Sequence, residues 1–160
     1  MSINFIPQEL KLCISFKFEY LRELVYKNKI YNLDERPLFI LSAGWRSGST
    51  LMQRLLCSDE RFVIWGEPFG DKLPVQRLSN IICDINEEDP HSINSINNLK
   101  GNLYDSWIAN VNPGIEYLLQ ASYAYFQNLY AKPAYKLNFE FWGAKYVRMT
   151  THHAEFLQLF

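Results

Sequence analysis

The densest cluster of chemistry-bearing side chains is the turn Gly44-Trp45-Arg46-Ser47-Gly48-Ser49-Thr50, set inside FILSAGWRSGSTLMQRLL at 39–56. An apolar run precedes it and a helical pattern follows. A strand feeding such a turn and then a helix makes an anion site, because the first helical amides lack backbone acceptors and the aligned peptide dipoles leave partial positive charge there. Gly44 and Gly48 allow close backbone approach. Ser47, Ser49 and Thr50 add hydroxyls, and Arg46 adds a planar fork suited to phosphate or sulfate oxygens. The competing reading is an ordinary turn with a capping Ser or Thr.

Two familiar nucleotide loops fit poorly. Aligning Gly48 with the second glycine of G-x-x-x-x-G-K-[ST] puts Ala43 at the first and Ser49 where the lysine belongs. The dinucleotide pattern G-x-G-x-x-G is absent, although Glu67 lies at about the distance of a ribose-binding acid. Trp45 suits stacking on a base or acceptor ring as well as packing over the helix start. Arg54, about one helical turn beyond the loop, reads as a surface or ion-pairing residue. His152, His153 and Glu155 suggest a metal only superficially, since adjacent histidines are expected to point apart and no Cys/His ligand spacing occurs.

The loop resembles the 5′-phosphosulfate-binding loop of sulfotransferases that use PAPS (3′-phosphoadenosine 5′-phosphosulfate), with Arg46-Ser47-Gly48-Ser49-Thr50 matching Lys/Arg-Ser-Gly-Ser/Thr-Thr. Trp45 and Gly44 stand where the family usually has proline near the start of the turn. FVIWGEPF resembles the second strand and turn of carbohydrate-type and bacterial members. That resemblance implies Glu67 as the base that takes the acceptor's proton. EFWGAKYVR resembles the family's Trp-Gly-Glu-Lys segment, with Ala144 in place of Glu. It implies that Lys145 assists at the transferring sulfuryl oxygens or orients the acceptor.

The implied activity is sulfuryl transfer from PAPS to a hydroxyl or amine of a small-molecule or carbohydrate acceptor, without a metal. Arg46, Glu67 and Lys145 are its catalytic candidates, and Gly44 to Thr50 its cosubstrate loop. The family carries a further strand and helix whose Arg and Ser grip the 3′-phosphate, and AEFLQLF ends where that strand would begin. The expectation is therefore a fold incomplete at its C-terminus, a fragment or a truncated relative. Two other functions remain in view: a non-catalytic anion- or partner-binding module on the same fold, and a divergent nucleotide kinase or hydrolase.

The elements that must position these residues are partly readable. Leu38 to Ser42 is a continuous apolar run expected as a buried parallel strand. Residues 49–57 read as helix, with Leu51, Leu55 and Leu56 on or near one face. Phe62 to Trp65 reads as a second strand, stopped by Gly66 and Pro68. Leu10, Ile14, Phe18, Leu21 and Val25 give 7–27 a helical stripe, although ISFKFEY also alternates with period two. Polar NLDERP at 32–37 breaks the chain.

Residues 71–112 show no sustained period. Pro113-Gly114 opens a helix whose shared face is Ile115, Leu118, Ser122, Phe126 and Leu129, with Pro133 expected to end it. A short extended piece near Lys145 to Met149 is followed by a helix from about Thr151, with Glu155 in its early turn.

The fold class is α/β: a three-layer, P-loop-like arrangement on a short parallel sheet, with a helical N-terminal segment at 1–35. The α/β domain occupies 36–160, with a helical insertion at about 71–133. The chain of 160 residues is 48% hydrophobic and 16% aromatic, enough for a core. Its formal charge of −1 gives no global field for nucleic acid or an acidic membrane, so anion binding must be local. Cys13, Cys57 and Cys83 form an odd, unpatterned set that suits reduced thiols. With neither a signal-like segment nor a membrane-length apolar run, the expectation is a cytoplasmic protein.

Overall fold

The computed structural model describes residues 8–29, 37–67, 69–84, 94–95 and 111–160. The polar break at 30–36, Pro68 and most of the insertion (85–93 and 96–110) lie outside the described residues. The architecture is α/β, built on a three-stranded parallel sheet ordered β1-β5-β2: Leu38–Ser42, Phe141–Val147 and Phe62–Trp65. Leu38 pairs with Gly143 on one side of the central strand, and Ile64 pairs with Gly143 on the other. Gly143 is required there, because a Cβ would collide with the Leu38 carbonyl oxygen and crowd Ile64. A separate parallel ladder joins two-residue strands β3 (Asn94–Ser95) and β4 (Val111–Asn112).

Both outer strands run as the apolar sequence runs suggest. The central one starts earlier, at Phe141, because Trp142, Ala144 and Tyr146 alternate into the core. Those three side chains face one side of the sheet. Phe39 of β1 meets Trp142 and Tyr146 there, and Tyr130 stacks on Trp142 with centroids 6.3 Å apart. Lys145, offset by one residue from Ala144 and Tyr146, projects to the opposite side, as strand alternation demands.

The core side is closed by helical elements, and Val75 and Ile82, from the helix Pro74–Asp84, are fully buried there as well. α1 (Gln8–Asn28) contributes Phe18, Leu21 and Val25, each 1% exposed, and the three-then-four spacing settles the ambiguous stretch as helix. α4 (Ile115–Phe126) buries Ile115, Leu119, Ser122 and Phe126. The face expected through Leu118 and Leu129 is thus rotated, and Leu129 is exposed while Tyr130 is buried. Nor does Pro133 end this helix. A π-helical turn, Gln127–Ala131, leads directly into α5 (Lys132–Lys136), with Pro133 near its start. The widened turn shifts the bonding offset just where proline has no amide to donate, so the chain stays helical.

α6 (Thr151–Leu157) buries Phe156 and Leu157, and its entry holds two further corrections. The third helical residue is His153, not an acid: the Thr150 amide donates to His153 Nδ1 at 3.1 Å, while Glu155 lies beyond the first turn. His152 and His153 also converge rather than diverge. Their rings lie 4.0 Å apart, and both Nε2 atoms reach Asn80 Oδ1 of α3 (Pro74–Asp84), at 3.0 and 3.3 Å. Among the described residues no group of three or more His, Cys, Asp or Glu side chains is arranged to hold a metal. No described helix is long and apolar enough to cross a membrane.

Candidate anion-binding site at the strand ends

The residues singled out for chemistry sit at or just beyond the C-terminal ends of the three strands, where open α/β sheets take ligands. The Gly44–Thr50 turn follows β1, Glu67 follows β2, and Lys145 lies near the end of β5. Because β5 is central, its side chain reaches both flanking connections.

Ser42, the last residue of β1, shapes the turn. Its hydroxyl donates to the Gly44 carbonyl at 2.5 Å and accepts from the Gly44 amide at 3.3 Å. With that proton committed, Ser47 is the donor in the 2.6 Å Ser42–Ser47 hydroxyl pair. The Ser47 hydroxyl is therefore turned inward, and Ser47 can serve a ligand through its amide. Ser42 was missing from the sequence-derived set; a hydroxyl closing an otherwise apolar strand is the signal that marks it.

Two residues of the turn adopt left-handed backbone: Arg46, φ 59°, and Gly48, φ 84°. A Cβ on Gly48 would meet nothing within 4 Å, so the angle rather than space calls for glycine. Arg46 carries the same conformation with a side chain, which costs about 1–3 kcal/mol. α2 (Ser49–Leu56) then begins at Gly48 with no side-chain cap. Its first helical bond runs from the Met52 amide to the Gly48 carbonyl at 3.0 Å, leaving the preceding amides without intrahelical acceptors. An ordinary capped turn is not what forms here.

Lys145 is 6% exposed, and its Nζ lies 3.1 Å from Glu67 Oε1 and 3.2 Å from Thr50 Oγ1. A buried ammonium is stable only when paired and hydrogen-bonded. Here it ties the base candidate to the last residue of the turn. Since Thr50 accepts from the ammonium, its own O–H remains available to a ligand. Arg46 is exposed and has no ion-pair partner among the described residues. Trp45 is 70% exposed, and Arg54 is exposed on α2.

Arg148 joins the site without a role assigned by the sequence motifs. It follows β5 directly in left-handed conformation, φ 60°, and its guanidinium carbon lies 5.4 Å from the Trp45 ring centroid. An apolar groove of about 310 Å³ along β1, lined by Tyr26, Phe39, Leu41, Leu157 and Phe160, includes none of Arg46, Glu67, Lys145 or Arg148. The convergent charges lie outside it. No family model, curated protein or solved structure matches the chain.

Proposed function

We propose that this chain is a sulfotransferase-like protein, with a P-loop-like three-layer core, that takes PAPS and passes its sulfuryl group to a hydroxyl or amine of a small-molecule or carbohydrate acceptor. The single observation that carries the reading is Lys145 Nζ held between Glu67 and Thr50. Three residues from separate stretches, each resembling a segment of the same family, share one ammonium group.

The chemistry follows from the placement. Uncapped amides of the Gly44–Thr50 turn and the Arg46 guanidinium would bind the 5′-phosphosulfate, with hydrogen bonds to charged oxygens worth about 1.5–3 kcal/mol each. The acceptor's oxygen or nitrogen would attack sulfur. The sulfur–oxygen bond to the phosphate breaks, its electron pair leaving with adenosine 3′,5′-bisphosphate. The acceptor's proton goes to the Glu67 carboxylate. Lys145 would stabilise charge on the transferring and bridging oxygens and hold Glu67 in place.

The test is turnover of PAPS by wild type and Glu67→Gln across a panel of sugars, phenols and amines. Glu67→Gln should bind adenosine 3′,5′-bisphosphate within about twofold of wild type, yet lose about 10²–10⁴ in turnover. Unchanged turnover removes Glu67 as base. Binding without turnover by the wild type itself favours a non-catalytic binding module.

A further inference from the structure

We infer that Arg148 is a second anion-gripping arginine of this site, and that Asp71 is its resting counter-ion, displaced when a phosphate or sulfate enters the turn. The inference rests on the reading of Gly44–Thr50 as an anion site. It gives a role to the arginine that closes EFWGAKYVR, to which the resemblance assigned none, and adds an exchange with Asp71.

Arg148 is held beside the turn from both ends. The amide of the next residue, Met149, donates to the Ser42 carbonyl at 3.0 Å, fixing the chain against the end of β1. The guanidinium lies over Trp45, within the range of a cation–π contact. A left-handed non-glycine residue such as Arg148, φ 60°, directly after a strand is uncommon.

The guanidinium's hydrogen bonding is incomplete. One terminal nitrogen donates to Asp71 Oδ1 at 2.7 Å. Nε is buried and has no hydrogen-bond partner among the described residues. A guanidinium offers five N–H donors in a plane, and the Trp45 ring gives that plane a surface rather than acceptors. A tetrahedral oxyanion, with several oxygens, could accept from Nε and a terminal nitrogen together.

Asp71 is suited to leaving. Its side chain is 86% exposed, and it sits in a short 3₁₀ turn, Gly70–Lys72, beyond Glu67. Exposed ion pairs contribute little and exchange readily. Lys145 is different: its partner Glu67 is less exposed and its ammonium is buried. The site thus pairs one cation firmly and another loosely, and the loose one lies over the turn's own tryptophan.

The experiment is calorimetric titration of adenosine 3′,5′-bisphosphate into five forms of the full chain: wild type, Arg46→Ala, Arg148→Gln, Asp71→Asn and the double variant Arg148→Gln/Asp71→Asn. Arg148→Gln should weaken binding about tenfold to a hundredfold, the loss of one charge-assisted contact or a bidentate pair. Asp71→Asn should tighten it about threefold by freeing Arg148. The double variant should behave like Arg148→Gln alone, since Asp71 acts only through that arginine. A purely structural ion pair would move the two single variants in the same direction, and that result overturns the inference. So does an unchanged affinity in Arg148→Gln when Arg46→Ala is weakened, which would leave the loop reading standing. No binding by wild type removes both readings together. Asp71→Asn alters an exposed side chain, so misfolding cannot account for its outcome.

Discussion

The two sides of the sheet are held by different means. On the α4–α6 side, Phe126 packs at once against Phe39, Tyr125, Tyr130, Phe156 and Phe160, and it is 1% exposed. On the turn side, α2 has no buried residue, and Leu51, Met52 and Leu55 are 63%, 51% and 59% exposed. What anchors α2 is polar. Gln53 Nε2 donates to the Ile64 carbonyl at 2.7 Å, and the Ile64 amide donates to Cys57 Sγ at 3.4 Å. Those bonds occupy backbone groups of β2 that an outer strand would otherwise leave open. The large aromatic cluster lies on one face and the proposed binding residues on the other, where the buried apolar side chains are the smaller Ile40, Ile64 and Val147.

The contrast can be broken hardest at Phe126. Phe126→Ala should cost about 3–5 kcal/mol of unfolding free energy, since a buried aromatic leaves a cavity among rings that cannot all collapse into it. Denaturant unfolding checks this. A loss below about 1 kcal/mol would mean that the aromatic cluster is not the main source of stability.

A smaller effect separates the entry of α6 from both faces. Burial, with the charge of His152 adding to it, brings His153 down to about 4 from 6.5. Burial also lowers His152, against an upward pull from Asp84. Besides His152, the groups facing His153 are Thr150 and Asn80, both uncharged. The folded chain therefore binds fewer protons here than the unfolded one. The contribution from His153 is fully present above pH 6.5 and is lost as pH falls toward 4, by at most on the order of 3 kcal/mol. His153→Gln should flatten that part of the stability–pH curve, measured by denaturant midpoints between pH 7 and 4. An unaltered slope would locate the dependence elsewhere.

The smallest effect sharpens the comparison. Leu51→Gln and Leu55→Gln on α2 should each change stability by no more than about 0.5 kcal/mol, as exposed substitutions away from packing usually do. A loss of about 2 kcal/mol from either would show that α2 is covered in solution, and the same denaturant melt reports it.

Sequence alone reached different depths on these two faces. β1 and β2 were legible to the residue, because each is a short apolar run with polar or glycine punctuation. β5 was legible only in its second half, since Phe141, Trp142 and Gly143 carry no alternation that distinguishes edge from core. The end of the α4 helix was misplaced because proline acts through bonding offset, and a π-turn that changes the offset leaves no compositional trace. Glu67, Lys145 and Thr50 were each visible as candidates. Their meeting was not, because it depends on β5 lying between β1 and β2. Arg148 stayed hidden: its importance comes from left-handed backbone and from Trp45 and Asp71, residues distant in sequence.

The most direct measurement is titration of adenosine 3′,5′-bisphosphate, and separately of ATP with magnesium, into the wild type and Arg46→Ala. The account predicts that the bisphosphate binds wild type in preference to ATP and at least about tenfold more weakly to Arg46→Ala. Preference for ATP with magnesium, or an affinity indifferent to Arg46, would contradict it.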